Sequence, residues 1–216
     1  MAKDLAIVLN NGSINAAVTT ALAAQKYRLI MVYAETASGQ QRIRSAYEQQ
    51  VSFFKPYREH TLQMPYLAMV ATPDRQQPPD PRIPQTITPQ LVDLLPLVAT
   101  AARFAIHYSA SAIFCGLRVG ARTDELAQGT EYIQIWQELL QMTCGQPDLE
   151  ISLPLMELEP WQVVDTGCNL SAPFDRTWSC SEEGMEACWA CRGCRAREAA
   201  FQQAAKPDPL KSTRKP

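Results

Sequence analysis

An excess of charge of one sign, long apolar runs and histidine are all scarce in this chain of 216 residues. Twenty Lys and Arg against 22 Asp and Glu leave a formal charge of −2. That balance excludes a strongly basic nucleic-acid-binding surface, though not a local patch. No apolar run reaches the roughly 18 residues that span a bilayer, so no membrane-crossing helix is expected. Met1-Ala2-Lys3-Asp4 and the short Leu5–Leu9 run behind it lack the long apolar core and cleavage site of a secretory signal. The cysteine count is odd, at seven, which suits a disulfide framework poorly and points to a reducing, cytoplasmic home. The 46% hydrophobic fraction can fill a core, and 19% charged is too little for a disordered chain.

Along the chain, strand-like and helix-like patterns alternate. Asp4–Leu9 is a short apolar run closed by Asn10-Asn11-Gly12, a turn signal, and helical spacing follows over Ile14–Ala24. Tyr27–Tyr33 is apolar nearly throughout, as a buried parallel strand should be. Gln40–Phe54 reads as a helix, and His60–Val70 as a weaker strand interrupted by Pro65. The Pro-rich stretch 71–85 reads as a loop. Thr88-Pro89 then gives an N-cap with proline at the first helical position. Leu91, Leu94, Leu95 and Val98 give an amphipathic stripe, and Pro96 should kink that helix. Ala112–Leu117 is a strand, and Thr123–Met142 a helix with Leu126, Ile133, Trp136 and Leu140 inside. Leu149–Leu155 is a strand and Trp161–Cys168 a short helix. The expected fold is α/β, a Rossmann-like parallel sheet of about five strands flanked by helices. Residues 1–170 form that domain, and 171–216 a C-terminal segment packed on it.

The segment carries the strongest chemistry. Cys180, Cys188, Cys191 and Cys194 follow a C-x7-C-x2-C-x2-C pattern. Two-residue spacings let consecutive thiolates converge on one ion. Four sulfurs without histidine suit a closed tetrahedral zinc site, with iron–sulfur and a redox pair as the other assignments. Zinc would fold a segment that is poor in core residues, a structural role. His60 and His107, the only histidines, lie far from the tetrad in sequence, and His107 reads as a helix-surface residue. Cys115, Cys144 and Cys168 read as small core residues.

In an α/β sheet the turn after the first strand is a ligand-binding position. Here it is Asn10-Asn11-Gly12-Ser13-Ile14-Asn15. Its amides, with the following helix N-terminus, could hold an anion, yet one glycine and one serine fit an ordinary strand-to-helix turn as well. Glu35, Arg118 and Arg122 fall at strand ends, where they could line the cleft or stand in solvated loops. Asp124-Glu125 reads as a helix first-turn pair rather than a catalytic dyad. The tail from Lys206 to Pro216 reads as a basic end.

Ala172-Pro173-Phe174, Thr177-Trp178-Ser179-Cys180, the other three cysteines, Arg195, Arg197 and Asp208-Pro209 together resemble the zinc segment of the 7-cyano-7-deazaguanine synthase family. That family is a branch of the PP-loop ATP pyrophosphatases. Gly39-Gln40, Gly116 and Pro154-Leu155 echo it more weakly, and the resemblance runs from about Leu5 to Leu210. It implies a structural zinc, frequent homodimers, and ATP-dependent conversion of 7-carboxy-7-deazaguanine and ammonia to the nitrile for queuosine-type metabolism. ATP with Mg2+ is a cofactor only if the chain is catalytic.

The family's PP-loop, Ser-Gly-Gly-x-Asp-Ser, aligns with Asn10 to Asn15, and only its second glycine persists, as Gly12. The degenerate loop makes Asn10, Asn11, Gly12, Ser13 and Asn15 the candidate nucleotide-binding residues, with no catalytic residue assigned. Ile14 replaces the acidic residue, Pro160 a lysine, and Gln128–Tyr132 stands where a Tyr-Pro-Asp-Cys stretch belongs. Two functions follow from the resemblance. One is a 7-cyano-7-deazaguanine synthase. The other is a non-catalytic or re-purposed paralogue that binds a deazaguanine or pairs with itself or an active relative.

Overall fold

The computed structural model describes residues 4–36, 40–69, 89–120, 123–182, 184 and 186–212. Five strands, β1 (Leu5–Leu9), β2 (Arg28–Glu35), β3 (Arg58–Gln63), β4 (Ala112–Cys115) and β5 (Glu150–Ser152), form one sheet ordered β3-β2-β1-β4-β5. Every pairing is parallel, with Ile7 opposite Ile30 on one side and Ile113 on the other. Central β1, β2 and β4 are apolar on both faces because helices cover both faces.

On one face lie α1 (Ile14–Lys26) and α2 (Gln41–Phe54). There Ala23, Tyr27 and Tyr47 pack on Val8, Met31 and Phe114. The buried Tyr47 hydroxyl donates to the carbonyls of Met31 and His60, and burial pushes its pKa well above the usual tyrosine range. On the opposite face lie α4 (Pro89–Tyr108) and α5 (Thr123–Cys144). Ala101, Ala102 and Ala105 of α4 sit on Ile7, Ile30 and Ile113, and small side chains there let the helix lie close to the sheet. Over Leu91–Tyr108, α4 is long and apolar enough to cross a membrane by length and composition. Here it is a layer of the α/β core.

Leu91, Leu94 and Val98 are buried as the helical spacing predicts, but Leu95 points outward, 44% exposed. Pro96 sits inside α4, where it removes the donor for the Val92 carbonyl. The strand expected over His60–Val70 is shorter and shifted. β3 ends at Gln63, and a single turn, α3 (Tyr66–Met69), starts after Pro65. The 71–85 loop, the Thr88 cap, Gly39 and Arg122 lie outside the described residues, and so do the side chains of Asp124 and Glu125.

The C-terminal segment shares the core. α6 (Pro160–Asn169) and α7 (Arg192–Gln203) pack together, with Val163, Val164, Ala200 and Phe201 around Val18 and Leu155. Gly167 touches Phe174 so closely that a Cβ would collide with the ring. The apolar pattern did not reveal α7, because its buried side contains an arginine. The Arg197 guanidinium donates to both Asp208 carboxylate oxygens (2.7 and 2.8 Å), Thr177 Oγ1 (2.7 Å) and the Phe174 carbonyl (3.0 Å). That bidentate pair ties α7 to the 3-10 turn Phe174–Arg176 and to the short α8 (Pro209–Ser212).

Candidate functional site

The strand order reverses at β1. The chain builds outward to β2 and β3, then crosses back to β4 and β5. The crevice at the carboxyl ends of β1 and β4 is therefore the expected ligand position. A cavity of about 270 Å³ opens there. Leu9, Val32, Leu94 and Leu117 form its apolar walls, and Asn10, Asn11, Ser13 and Asn15 its polar rim. Among the described residues no Lys, Arg or His lines it, and Asp93 is the one ionisable carboxylate.

The turn between β1 and α1 closes on itself. Asn10 is buried, and its Oδ1 accepts from the Gly12 amide at 2.8 Å. Its Nδ2 donates to Thr20 Oγ1 and Gln50 Oε1, each at 2.9 Å. Asn11 Oδ1 accepts from the Ser13 amide at 3.3 Å, and Ser13 Oγ caps α1 by accepting from Ala16, also at 3.3 Å. Asn15 Nδ2 donates to the Gly116 carbonyl, which fixes α1 to the end of β4. Three amides of the kind that hold an anion at a helix N-terminus therefore already have side-chain acceptors. Gly12 has a positive φ of 73°, and a Cβ there would come 2.6 Å from the Ile43 carbonyl. A side chain at this position would be both strained and crowded, which glycine avoids.

On the other side of the same turn, a second cavity of about 480 Å³ separates it from the cysteine segment. Arg118, Pro160, Trp178 and Ser181 line it together with Asn11 and Ile14. Arg118 donates to the Leu158 carbonyl at 2.9 Å. Among the described residues the other cation on this wall, Arg197, is held by Asp208. Pro160 starts α6, so the position of the expected lysine offers no charge. Glu35 lines neither cavity; it accepts from Gln63 and lies 3.7 Å from Arg44. Asp93 and Trp178 are wall residues to which the sequence reading gave no role. Only the resemblance marked Trp178, and nothing in the helix pattern of α4 distinguished Asp93.

The four clustered cysteines converge, with all sulfurs within 4.8 Å of one another. Tetrahedral zinc with bonds of about 2.3 Å needs sulfurs about 3.8 Å apart. Here Cys180–Cys188 is 3.5 Å, Cys180–Cys191 is 3.9 Å and Cys188–Cys194 is 4.0 Å. Amides of Cys188, Cys191 and Cys194 donate to sulfurs of the cluster, as thiolate acceptors require. The donor set fits zinc. Hydrogen bonds from Ser181 pull the Cys191 thiol down to about 5, whereas burial and the neighbouring thiols push Cys194 up to about 12. Gly193 permits the turn between the last two ligands, because a Cβ would strike the Ser179 carbonyl.

This segment also braces the first turn. The Trp178 amide donates to the Gly12 carbonyl at 2.9 Å, and Gln50 Nε2 donates to the Arg176 carbonyl at 3.1 Å. The remaining cysteines lie apart from the tetrad. Cys115 lines the smaller cavity, and burial raises its pKa to about 11, which leaves a neutral thiol.

A parallel sheet with a switch-point turn and a four-cysteine clip defines a class, and comparison with known proteins specifies it. The chain belongs to the family of queuosine biosynthesis protein QueC, whose family model matches residues 5–205. A 7-cyano-7-deazaguanine synthase from Chloroherpeton thalassium is 26% identical over 95% of both chains. One from Nitratiruptor sp. is 31% identical over 62% of this chain and 61% of its own length. One from Aliarcobacter butzleri is 40% identical, but over only 38% of this chain and 36% of that protein. Among solved structures, NMN synthetase from Francisella tularensis shares the fold, with a TM-score of 0.51 and 15% identity, covering 95% of this chain and 79% of the other.

Proposed function

We propose that this chain is a QueC-family protein that binds a deazaguanine-type ligand on the family scaffold without adenylating it. One observation carries the reading: the amides of Gly12, Ser13 and Ala16 are taken by Asn10, Asn11 and Ser13 of the same turn. A carboxylate is a poor electrophile, and ATP activates it by forming an acyl-adenylate and releasing pyrophosphate. Release of so charged a group needs free amides and cations near the phosphates. Among the described residues the smaller cavity has no cation, Pro160 supplies none to the larger one, and Arg118 and Arg197 of that wall already donate to the Leu158 carbonyl and to Asp208. The four cysteines would hold zinc, whose role at a closed four-thiolate site is to stabilise the segment that braces the turn.

A second reading, an active 7-cyano-7-deazaguanine synthase, is favoured by relatives of that name, one of them aligned over 95% of the chain. Calorimetry separates the two. The zinc-loaded protein is titrated with ATP and Mg2+, with and without 7-carboxy-7-deazaguanine, and AMP is assayed. The proposal expects deazaguanine binding that does not depend on ATP, and no AMP. ATP binding with AMP release would establish the synthase instead.

A further inference from the structure

The amino ends of the strands, opposite the crevice, carry a cluster of cations and exposed rings. Arg28 opens β2 and Arg58 opens β3, and both guanidiniums stand over the ring of Tyr57, 4.3 and 4.5 Å from its centroid. Lys55 is exposed in the turn between α2 and β3. At the end of α2, Phe53 packs edge-on against Phe54, and Arg176 of the C-terminal segment lies over the Phe53 ring at 5.1 Å. Phe53 is 42% exposed and Tyr57 40%, unlike the buried rings of Tyr33 and Tyr47. Cation and ring therefore alternate along one edge, from Arg176 and Phe53 through Lys55 to Tyr57 with Arg28 and Arg58.

Like charges held this close call for an anion. Among the described residues, Arg28, Lys55 and Arg58 enter no salt bridge. Neighbouring carboxylates act elsewhere: Asp4 and Glu150 on Lys26, and Glu59 on the Tyr47 side of the sheet. Arg176 has Asp175 at 3.9 Å. The groups are also fixed in place. The Tyr57 amide donates to the Leu29 carbonyl at 2.8 Å, Arg58 Nη1 to the Tyr57 carbonyl at 2.9 Å, and Arg176 Nη1 to the Gln49 carbonyl at 3.3 Å. A guanidinium that spends one N–H in this way keeps others for a second acceptor. A chain with a formal charge of −2 has room for such a strip without being basic overall.

We propose that this edge docks single-stranded nucleic acid. Arg28 and Arg58 hold one phosphodiester, Lys55 and Arg176 hold its neighbours, and bases lie against Phe53, Tyr57 and the guanidinium planes. The interleaved rings select this polyanion over an acidic peptide, which pairs with cations but brings no flat π-face to the rings. They also select a single strand over a duplex, whose bases are stacked inside and out of reach. From Phe53 to Tyr57 the chain spans at most about 14 Å, so the strip is short and takes a few nucleotides. It lies at the end of the sheet remote from the carboxyl ends of β1 and β4, so it does not depend on what the cavities there bind.

Fluorescence anisotropy tests the strip on the full zinc-loaded chain, with labelled single strands of about 12 nucleotides, RNA and DNA in parallel, at about 50 mM salt. The expected result is micromolar binding that weakens with salt at a log–log slope of about −3, from four cations at about 0.7 each. Arg28→Gln/Arg58→Gln should weaken binding by about tenfold or more and roughly halve the slope. Phe53→Ala should weaken it by about fivefold. Arg192→Gln/Lys206→Gln removes as much charge from exposed positions elsewhere and should change affinity by less than about twofold. All these variants replace exposed side chains, so zinc content and circular dichroism should match the wild type. A wild type that binds neither strand overturns the proposal. So does an equal loss in the two double variants, a Phe53→Ala protein that binds as the wild type does, or a polyglutamate competitor as effective as the unlabelled strand.

Discussion

Replacing Asn10 with alanine is the most informative single perturbation of the turn. Its side chain makes three hydrogen bonds in a site where Asn10 is 2% exposed and Gln50 fully buried. Truncation leaves the Gly12 amide and Gln50 Oε1 without partners, while Thr20 keeps its bond to the Ala16 carbonyl. An unsatisfied buried group costs about 1–3 kcal/mol, and the adjoining cavity lets water relieve part of that. The net cost is about 2–4 kcal/mol, a large share of a total stability of about 5–15 kcal/mol. Asn11→Ala loses one 3.3 Å bond at an exposed position and should cost less than about 0.5 kcal/mol. Urea unfolding of both variants and the wild type measures the difference. The same samples carry a second readout. Pyrophosphate at about 5 mM should leave the wild-type melting temperature unmoved, because a ligand stabilises only the state that binds it. Equal stabilities for Asn10→Ala and Asn11→Ala would refute the account of a turn held by its own side chains, and so would a pyrophosphate-stabilised wild type.

Other perturbations bear on the supports of the site. Asp208→Ala strands the buried Arg197 guanidinium and should cost about 3–5 kcal/mol in urea unfolding, whereas the double variant Arg197→Met/Asp208→Leu should lose less than the single one. Cys191→Ser removes one of four thiolates; elemental analysis should fall from one zinc per chain towards none, with a change in Trp178 fluorescence as the segment loosens. Burial, His107 and Arg58 hold the pKa of His60 below its ordinary value, so the fold favours the neutral ring. That contribution is present above the ordinary histidine range and is lost as pH falls through the lowered value. Protection of the β3 amides relative to their intrinsic exchange rate should therefore fall on acidification, and His60→Gln, which cannot titrate, should flatten the response.

The sheet was legible because its central strands are apolar on both faces, and Tyr27–Tyr33 displays that pattern without interruption. The cysteine tetrad was legible because two-residue spacings carry their geometry with them. The edge strand was not. β3 alternates polar and half-buried residues, so its limits follow from pairing with β2 rather than from its own composition. α7 was hidden because Arg197 occupies a core position, which an apolar pattern counts as a break. The departure of the turn from the PP-loop pattern could be read as missing glycines. What fills their place could not, because Asn10 is satisfied by Thr20 and Gln50, ten and forty residues away.

Those long-range partners hold the turn in place independently of any ligand. An anion-binding turn keeps its amides unsatisfied until the ligand arrives, at a cost in stability. Here asparagine and serine oxygens supply the missing acceptors permanently, so the turn holds its shape without a ligand. The turn is also braced from behind: the Trp178 amide holds the Gly12 carbonyl, the Arg176 carbonyl accepts from Gln50, and the four cysteines converge in the segment that carries both. Bracing and anion contact fall on different atoms of one turn, the first on the Gly12 carbonyl and the Asn10 side chain, the second on the three amides.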